Sequence, residues 1–244
     1  MSKSVLILGA SSDIARAIAQ KFGSEGWSLL LAGRDVEILS RDAADLRLRH
    51  NVDVAAFVFD AIDFESHKKL WDSLPERPEG VVCVFGYLGN QEVSERNWYE
   101  ARKTIDTNFT GAVSILNIAA NSFEERKGGF IIGISSVAGD RGRTSNYIYG
   151  SAKAGFTAYL SGLRARLWKS GVKVMTVKPG FVATRMTEGM NTPALLTATP
   201  QQVADDVMRA YKRGRPVVYT GWFWKYIMLV IIHIPERVFR KLKL

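Results

Sequence analysis

Residues 4–15 read Ser4-Val5-Leu6-Ile7-Leu8-Gly9-Ala10-Ser11-Ser12-Asp13-Ile14-Ala15. Four consecutive aliphatic residues run into a glycine and a short polar turn. Ile14, Ile18 and Phe22 then recur at four-residue steps. An unbroken aliphatic run is the pattern of a strand buried on both faces, and the four-residue step is one face of a helix. The turn between them is built of small residues. Backbone N–H groups at the helix N-terminus can therefore approach an anion such as a pyrophosphate. Gly9, Ser11, Ser12, Asp13 and Ile14 become candidate cofactor-binding residues. Asp13 and Ala15 stand where such turns often carry glycine, and Ser12 is equally placed to cap the helix.

Working outward, six further apolar segments read as buried strands, at 28–33, 53–59, 81–86, 129–134, 172–177 and 216–219. Segments with helical spacing lie between most of them, at 35–48, 64–74, about 94–125, 148–170 and 200–213. This alternation predicts an α/β fold, a Rossmann-type doubly wound parallel sheet of about seven strands with helices on both faces. Residues 1–221 form the expected dinucleotide-binding catalytic domain with its substrate loop, and 222–244 an apolar and basic tail. The 244 residues, 47% hydrophobic and 23% charged, exclude a disordered chain or a collagen-like fibre. A lone cysteine, Cys83, cannot close an intramolecular disulfide. His50, His67 and His233 lie too far apart for ligand spacing, so no metal site is expected. Met1-Ser2-Lys3 leads directly into the first strand, so no signal peptide is expected.

The second strand ends at Gly33, followed by Arg34. An acid at that strand end would accept the ribose hydroxyls of NAD, whereas a guanidinium suits the extra phosphate of NADP. Arg34 thus points to NADPH, with Arg16 as a helper. Asp60, beside Ala61 just past the third strand, could accept from the adenine amine or cap the helix that begins at Phe64. Gly86 closes the fourth strand on the same side.

Tyr149 and Lys153 are four apart on a predicted helix and share a face. Ser136 lies just past the fifth strand, at the end where such sheets bind ligands. Asn108 sits in the long helical stretch before that strand. Together with the glycine turn, Ser135-Ser136, Tyr149-Gly150-Ser151-Ala152-Lys153 and Pro179-Gly180-Phe181-Val182-Ala183-Thr184, this set resembles the short-chain dehydrogenase/reductase family over nearly the whole chain. Val84-Phe85-Gly86 departs from the family's common Asn-Ala-Gly run. The resemblance implies reduction of a ketone by a nicotinamide cofactor, with Asn108, Ser136, Tyr149 and Lys153 as the catalytic set. Tyr149 supplies the proton. Its ordinary pKa of about 10 makes it a poor acid–base group unless shifted, and an ammonium on Lys153 would lower it. Ser136 would position the carbonyl oxygen, Lys153 the nicotinamide ribose, and Asn108 a water that relays protons. Pro179, Gly180, Val182 and Thr184 would line the nicotinamide pocket. The family also implies a homodimer or homotetramer.

The net charge of +9 is concentrated at one end. Residues 209–244 carry nine basic side chains and one acid, Glu236, against 24 and 23 in residues 1–208. The apolar run 222–234 is too short to span a bilayer, and Pro235 ends it. Val238, Phe239 and Leu242 then alternate with Arg237, Arg240, Lys241 and Lys243. Aromatic, aliphatic and basic residues together suit an anionic membrane surface rather than a nucleic acid. A location on the inner face of a membrane, cytoplasmic and peripheral, is expected. The stretch Phe85-Gly86-Tyr87-Leu88-Gly89-Asn90-Gln91-Glu92 and the tail are similar to those of decaprenylphosphoryl-2-keto-ribose reductases. That subgroup implies NADH, a polyprenyl-phosphate-linked 2-keto pentose as substrate, a role in cell-envelope biosynthesis and an oxidase partner. NADH and NADPH therefore both stay open. Tyr87, Arg141 and Arg143 are the candidate substrate residues, the arginines to pair with a phosphodiester. Two alternatives are another membrane keto-lipid as substrate, and a non-catalytic dinucleotide-sensing scaffold.

Overall fold

A computed structural model describes residues 3–242. The strands are β1 (Ser4–Leu8), β2 (Ser28–Gly33), β3 (Val54–Val58), β4 (Gly80–Cys83), β5 (Phe130–Ile134), β6 (Lys173–Pro179), β7 (Phe181–Val182), β8 (Thr197–Ala198) and β9 (Val217–Thr220). The helices are α1 (Asp13–Ser24), α2 (Val36–His50), α3 (Phe64–Ser73), α4 (Gln91–Ser94), α5 (Trp98–Ile105), α6 (Gly111–Glu125), α7 (Tyr147–Leu167), α8 (Pro200–Lys212), α9 (Trp224–His233) and α10 (Glu236–Phe239). Seven strands form one parallel sheet in the order β3-β2-β1-β4-β5-β6-β9. This is the expected doubly wound sheet.

The unbroken aliphatic run of β1 now has its reason. Val5 and Ile7 point to one face, where they join Ile18 and Phe22 of α1 and Val203 and Val207 of α8. Leu6 and Leu8 point to the other face, among Ile115 and Leu116 of α6 and Phe156 and Leu160 of α7. Successive side chains alternate across a strand, so both sets must be apolar when helices cover both faces. Each such buried side chain contributes about 1.5–3 kcal/mol relative to exposure. The strand order reverses between β1 and β4, and ligands of open parallel sheets bind in the crevice at that point.

Two departures from expectation shape the site. The helical stretch about 94–125 is not one helix. Asn97 accepts from Tyr99 N at 3.0 Å and so starts α5 separately from α4. A π-turn, Asp106–Thr110, then joins α5 to α6. Its wider turn carries Asn108 inward, where it is buried. The second departure is the small parallel pair of β7 and β8, which folds residues 181–198 over the C-terminal end of the main sheet.

Among the described residues, no helix is long and apolar enough to cross a membrane. The tail forms α9, which stops at Ile234 before Pro235, and then the single turn of α10. Lys243, counted above in the basic tail, lies outside the described residues, as do Met1 and Ser2.

Candidate active site

A groove of about 460 Å³ opens at the switch point. It is lined by all nine residues expected in its outer part: Gly9, Ser11, Ser12, Asp13, Ile14, Arg34, Asp60, Ala61 and Gly86. Gly86 is where groove and catalytic pocket meet. A Cβ there would stand 2.9 Å from Asn108 Oδ1, 3.4 Å from Lys153 Nζ and 3.8 Å from Met186 Cε, filling the passage between them. An extended dinucleotide fits this cradle, with its phosphates at the N-terminus of α1. The residues that would hold it are the glycine turn, Arg34 and the strand ends.

Packing redirects several polar groups. Ser12 does cap α1, accepting from Ala15 N at 3.3 Å. The Asp13 carboxylate accepts from Arg185 N (2.9 Å) and Nε (3.2 Å), while Arg185 Nη2 donates to Ser11 O at 2.6 Å. Asp13 thus lines the groove but ties the glycine turn to the substrate loop. Arg16 is not a helper of Arg34: its Nε donates to Asp42 at 2.8 Å, away from the groove. Asp35 caps α2 through Glu37 N and Ile38 N, both at 3.1 Å, so its carboxylate is already engaged. Asp60 does not cap the helix beginning at Phe64. Asp63 holds that position, and the Asp60 carboxylate accepts from Ile62 N at 3.1 Å.

Ser136, Tyr149 and Lys153 converge in an adjoining pocket of about 140 Å³, and Asn108 stands behind Gly86 at its edge. Ser136 follows β5 and Tyr149 stands in the first turn of α7, so both reach the C-terminal end of the sheet. The Ser136 hydroxyl faces the Tyr149 phenol and favours its ionised form, while Ser136 Oγ accepts from Ala138 N at 3.1 Å. Lys153 comes from the next turn of α7, is 4% exposed, and donates to Ile134 O at 3.1 Å. Asn108 donates to Tyr87 O (2.6 Å) and Thr104 O (2.8 Å) and accepts from Tyr87 N (3.2 Å). Both of its amide hydrogens are therefore engaged, one on Tyr87 in the segment after β4 and one on Thr104 of α5. Only the second lone pair of Oδ1 is left for the expected relay water. Pro179, Gly180, Val182 and Thr184 line this pocket, and Thr184 also borders the groove.

The electrostatics differ from the expected lowering of the tyrosine by lysine. Burial pushes Tyr149 up to about 12, offset only in part by the Ser136 hydroxyl. Lys153 Nζ stands 5.7 Å from the centre of the Tyr149 ring and is turned toward Ile134 O. Burial in turn brings Lys153 down to about 8. Tyr149 is thus a neutral phenol across physiological pH, the form that can donate a proton.

Two of the expected substrate residues must be corrected. Tyr87 lies on the groove side, with its hydroxyl donating to Glu100 Oε1 at 2.7 Å; Leu88 takes its place in the catalytic pocket. Arg141 faces the tail. Its Nη1 donates to the carbonyls of Ile231 (2.6 Å), Ile232 (3.1 Å) and Ile234 (2.6 Å), and its Nη2 pairs with Glu236 at 2.9 Å. These carbonyls lie where the hydrogen-bond ladder of α9 runs out, with only Ile231 O taking a long bond from Ile234 N at 3.4 Å, so they capture the guanidinium. Arg143 does line the catalytic pocket.

Sequence reading missed Arg185, Asn146 and Trp224. Arg185 carried a signal in its place beside Thr184. Asn146 and Trp224 carried none, because only packing brings them to the pocket. The Trp224 ring lies directly on Gly180: a Cβ there would stand 2.0 Å from its Cε2 and Nε1. Trp224 and Met228 of α9 pack on Val137 and Phe181, so the tail helix forms a wall of the pocket. Gly180→Ala is expected to push α9 outward, lowering stability by about 1–3 kcal/mol as overpacking does. Thermal unfolding and proteolysis within 222–242 would check this; unchanged melting and cleavage would mean that α9 yields without cost.

The geometry has counterparts in known proteins. The family model for short chain dehydrogenases matches residues 3–194. An uncharacterized oxidoreductase of Mycobacterium tuberculosis is 37% identical over 241 residues, 98% of this chain and 96% of the relative. Sulfoacetaldehyde reductase 2 of Chromohalobacter salexigens is 34% identical over 195 residues, 77% of this chain and 75% of the relative. Among solved structures, a short-chain dehydrogenase from Sphingobium yanoikuyae in complex with NADPH superposes with a TM-score of 0.83 at 23% identity, covering 96% of this chain and 97% of that one. The family match over most of the chain and the 37% identity to an oxidoreductase agree with the sheet order, the groove and the converged Ser–Tyr–Lys set: this protein is an oxidoreductase that belongs to the short-chain dehydrogenase family.

Proposed function

We propose that the protein is an NADPH-dependent reductase of a ketone on a membrane-borne substrate, most closely the 2-keto pentose of a polyprenyl-phosphate-linked sugar. The observation that carries the reductase reading is the neutral Tyr149 phenol standing with Ser136 and Lys153 in the pocket that adjoins the groove. The bound cofactor supplies the hydride. Ser136 orients the carbonyl oxygen, and Tyr149 donates the proton that the developing alkoxide requires. Lys153 keeps a positive charge behind the phenol, which favours the phenolate left after transfer. Asn108 holds Gly86 and Tyr87 in place at the mouth of the groove. A relative named for sulfoacetaldehyde reduction supports carbonyl chemistry in this branch.

NADPH is favoured over NADH by the side chains at the end of β2. Arg34 is exposed at the groove, while the neighbouring acid Asp35 is engaged as a helix cap. The lipid-linked substrate is supported by the outer face of α9. Tyr226 and Val230 are 57% and 66% exposed there and Trp222, just before it, 75%, and the tail's Lys225, Arg237 and Arg240 are exposed too. An apolar face flanked by basic residues suits a headgroup layer. The inner face of the same helix walls the pocket, so a substrate held in the bilayer would enter beside it. A second reading, reduction of a different membrane keto-lipid, draws on the mostly apolar pocket lining.

Turnover of a polyprenyl-phospho-2-keto-pentose and of a 3-ketosphinganine, each with NADPH and NADH, tests the proposal. Reduction of the first with NADPH is expected. Arg34→Leu is expected to raise KM for NADPH roughly 10- to 100-fold and leave that for NADH unchanged, the loss of one charge-assisted contact. Equal use of both cofactors by the parent enzyme would remove the role of Arg34. Turnover of the sphinganine alone would select the second reading.

A further inference from the structure

Buried polar atoms in folded proteins are nearly always hydrogen-bonded. Among the described residues three such side-chain atoms have no partner: Arg143 Nε, Asn146 Oδ1 and Thr220 Oγ1. Two of the three line one cavity, the pocket that holds Ser136 and Tyr149. They sit three residues apart, on the loop between Ser136 and α7. Asn146 occupies the position that caps α7, yet its side chain makes no capping bond. It is turned to the pocket instead.

Among the described residues Arg143 also makes no ion pair with a carboxylate. Its Nη2 meets only the Met228 sulfur at 3.3 Å. The one carboxylate whose charge reaches it is Asp140. That carboxylate is held by Lys178 Nζ at 2.5 Å and by the Tyr219 hydroxyl at 2.8 Å. Burial disfavours the charged form of Arg143 and lowers its pKa from the usual value. A guanidinium nonetheless remains protonated in proteins. The pocket therefore carries a positive charge, an unfilled N–H and an unfilled amide oxygen on one loop, facing the apolar Val137, Phe181 and Trp224 as well as the catalytic Ser136, Tyr149 and Lys153.

We infer that Arg143 and Asn146 form an anion-and-hydroxyl subsite of the substrate pocket: the substrate brings a negatively charged oxygen group to Arg143 and a hydroxyl that donates to Asn146 Oδ1. This deepens the reductase reading and rests on it for the identity of the bound molecule as substrate. A phosphate, a carboxylate or a sulfonate shares the required chemistry. Arg141, two residues earlier, cannot serve, because the end of α9 engages it.

The test is calorimetric titration of the full chain, saturated with NADP+ so that the cofactor groove is filled. The probes are octyl phosphate, octanoate and octanol. Both anions are expected to bind at least tenfold more tightly than octanol. Arg143→Met is expected to abolish that advantage and leave octanol binding unchanged, whereas Arg143→Lys retains part of it. Asn146→Asp sets a carboxylate beside the site and is expected to weaken both anions tenfold or more. Thermal unfolding of each variant separates loss of the subsite from loss of the fold. A tighter octyl phosphate indicates a phosphate-bearing substrate, a tighter octanoate a carboxylate. Octanol binding as tightly as the anions, no anion binding, or anion affinity unaltered in Arg143→Met would overturn the inference. Anion binding through Arg143 without turnover of any ketone would refute the reductase reading and leave the subsite standing.

Discussion

Tyr149→Phe is expected to lower kcat for ketone reduction by about 10²- to 10⁴-fold while leaving NADPH affinity within twofold. The magnitude is that of removing a positioned general acid. The hydroxyl is the group lost, and it stands in the pocket beside Ser136. The phenyl ring that remains preserves the packing, so the pocket keeps its shape. Burial holds the phenol neutral up to about pH 12, so the proton is present over the whole working range. The pH limb should come from elsewhere. Lys153, brought down to about 8, loses its charge first, and the positive charge behind the phenol is lost with it. The kcat/KM for reduction should therefore fall as pH rises through about 8. Cofactor titration by fluorescence and single-turnover kinetics would check both parts. A variant that keeps more than a tenth of the parent rate would mean that the proton reaches the alkoxide by another route.

Lys153→Met is expected to make the protein more stable at pH 7 and at the same time inactive. An ordinary lysine titrates near 10.5, and burial brings this one to about 8. Below pH 8 the ammonium is charged in both the folded and the unfolded chain, and its burial costs on the order of 3 kcal/mol. Between about 8 and 10.5 the unfolded chain binds the proton that the folded chain has released, so stability of the parent rises with pH across that window. Methionine fills similar volume with no charge. Its gain is offset by the lost hydrogen bond to Ile134 O, which leaves a net benefit of roughly 1–3 kcal/mol at pH 7. For a chain of this size each kcal/mol moves Tm by about 2–4 °C. The advantage should shrink above pH 8 and be gone near 10.5. Denaturant unfolding at pH 7 and pH 10 would measure it. A variant less stable than the parent at pH 7, or a difference independent of pH, would show that the pocket does not strain the ammonium. The site thus trades stability for a charge held behind the phenol.

The first strand and helix were legible at residues 4–22, and the fold in the repetition of that alternation, because both signals are local. An aliphatic run and a four-residue step report directly how a strand and a helix bury their side chains, whatever the rest of the chain does. Ser136, Tyr149 and Lys153 were legible for the same reason. A strand end and one turn of helix bring them together over a short span of chain. Asn108 was named, but the π-turn that carries it inward was not, since one extra residue in a helical turn leaves no periodic trace.

The polar side chains were a different matter. Arg141 and Arg143 look interchangeable in sequence, yet one ends on carbonyls 90 to 93 residues away and the other in the catalytic pocket. Arg16 and Arg34 divide in the same way, because Asp42 stands within reach of only the first. A long charged side chain goes to whichever carboxylate or free carbonyl lies within a few ångströms, and distant packing sets those distances. The tail shows both sides of this. Its apolar and basic composition was plain from the residues alone. That Trp224 and Met228 would turn inward and wall the pocket, leaving Tyr226 and Val230 outside, was decided by the surface that Gly180, Phe181 and Val137 present to α9.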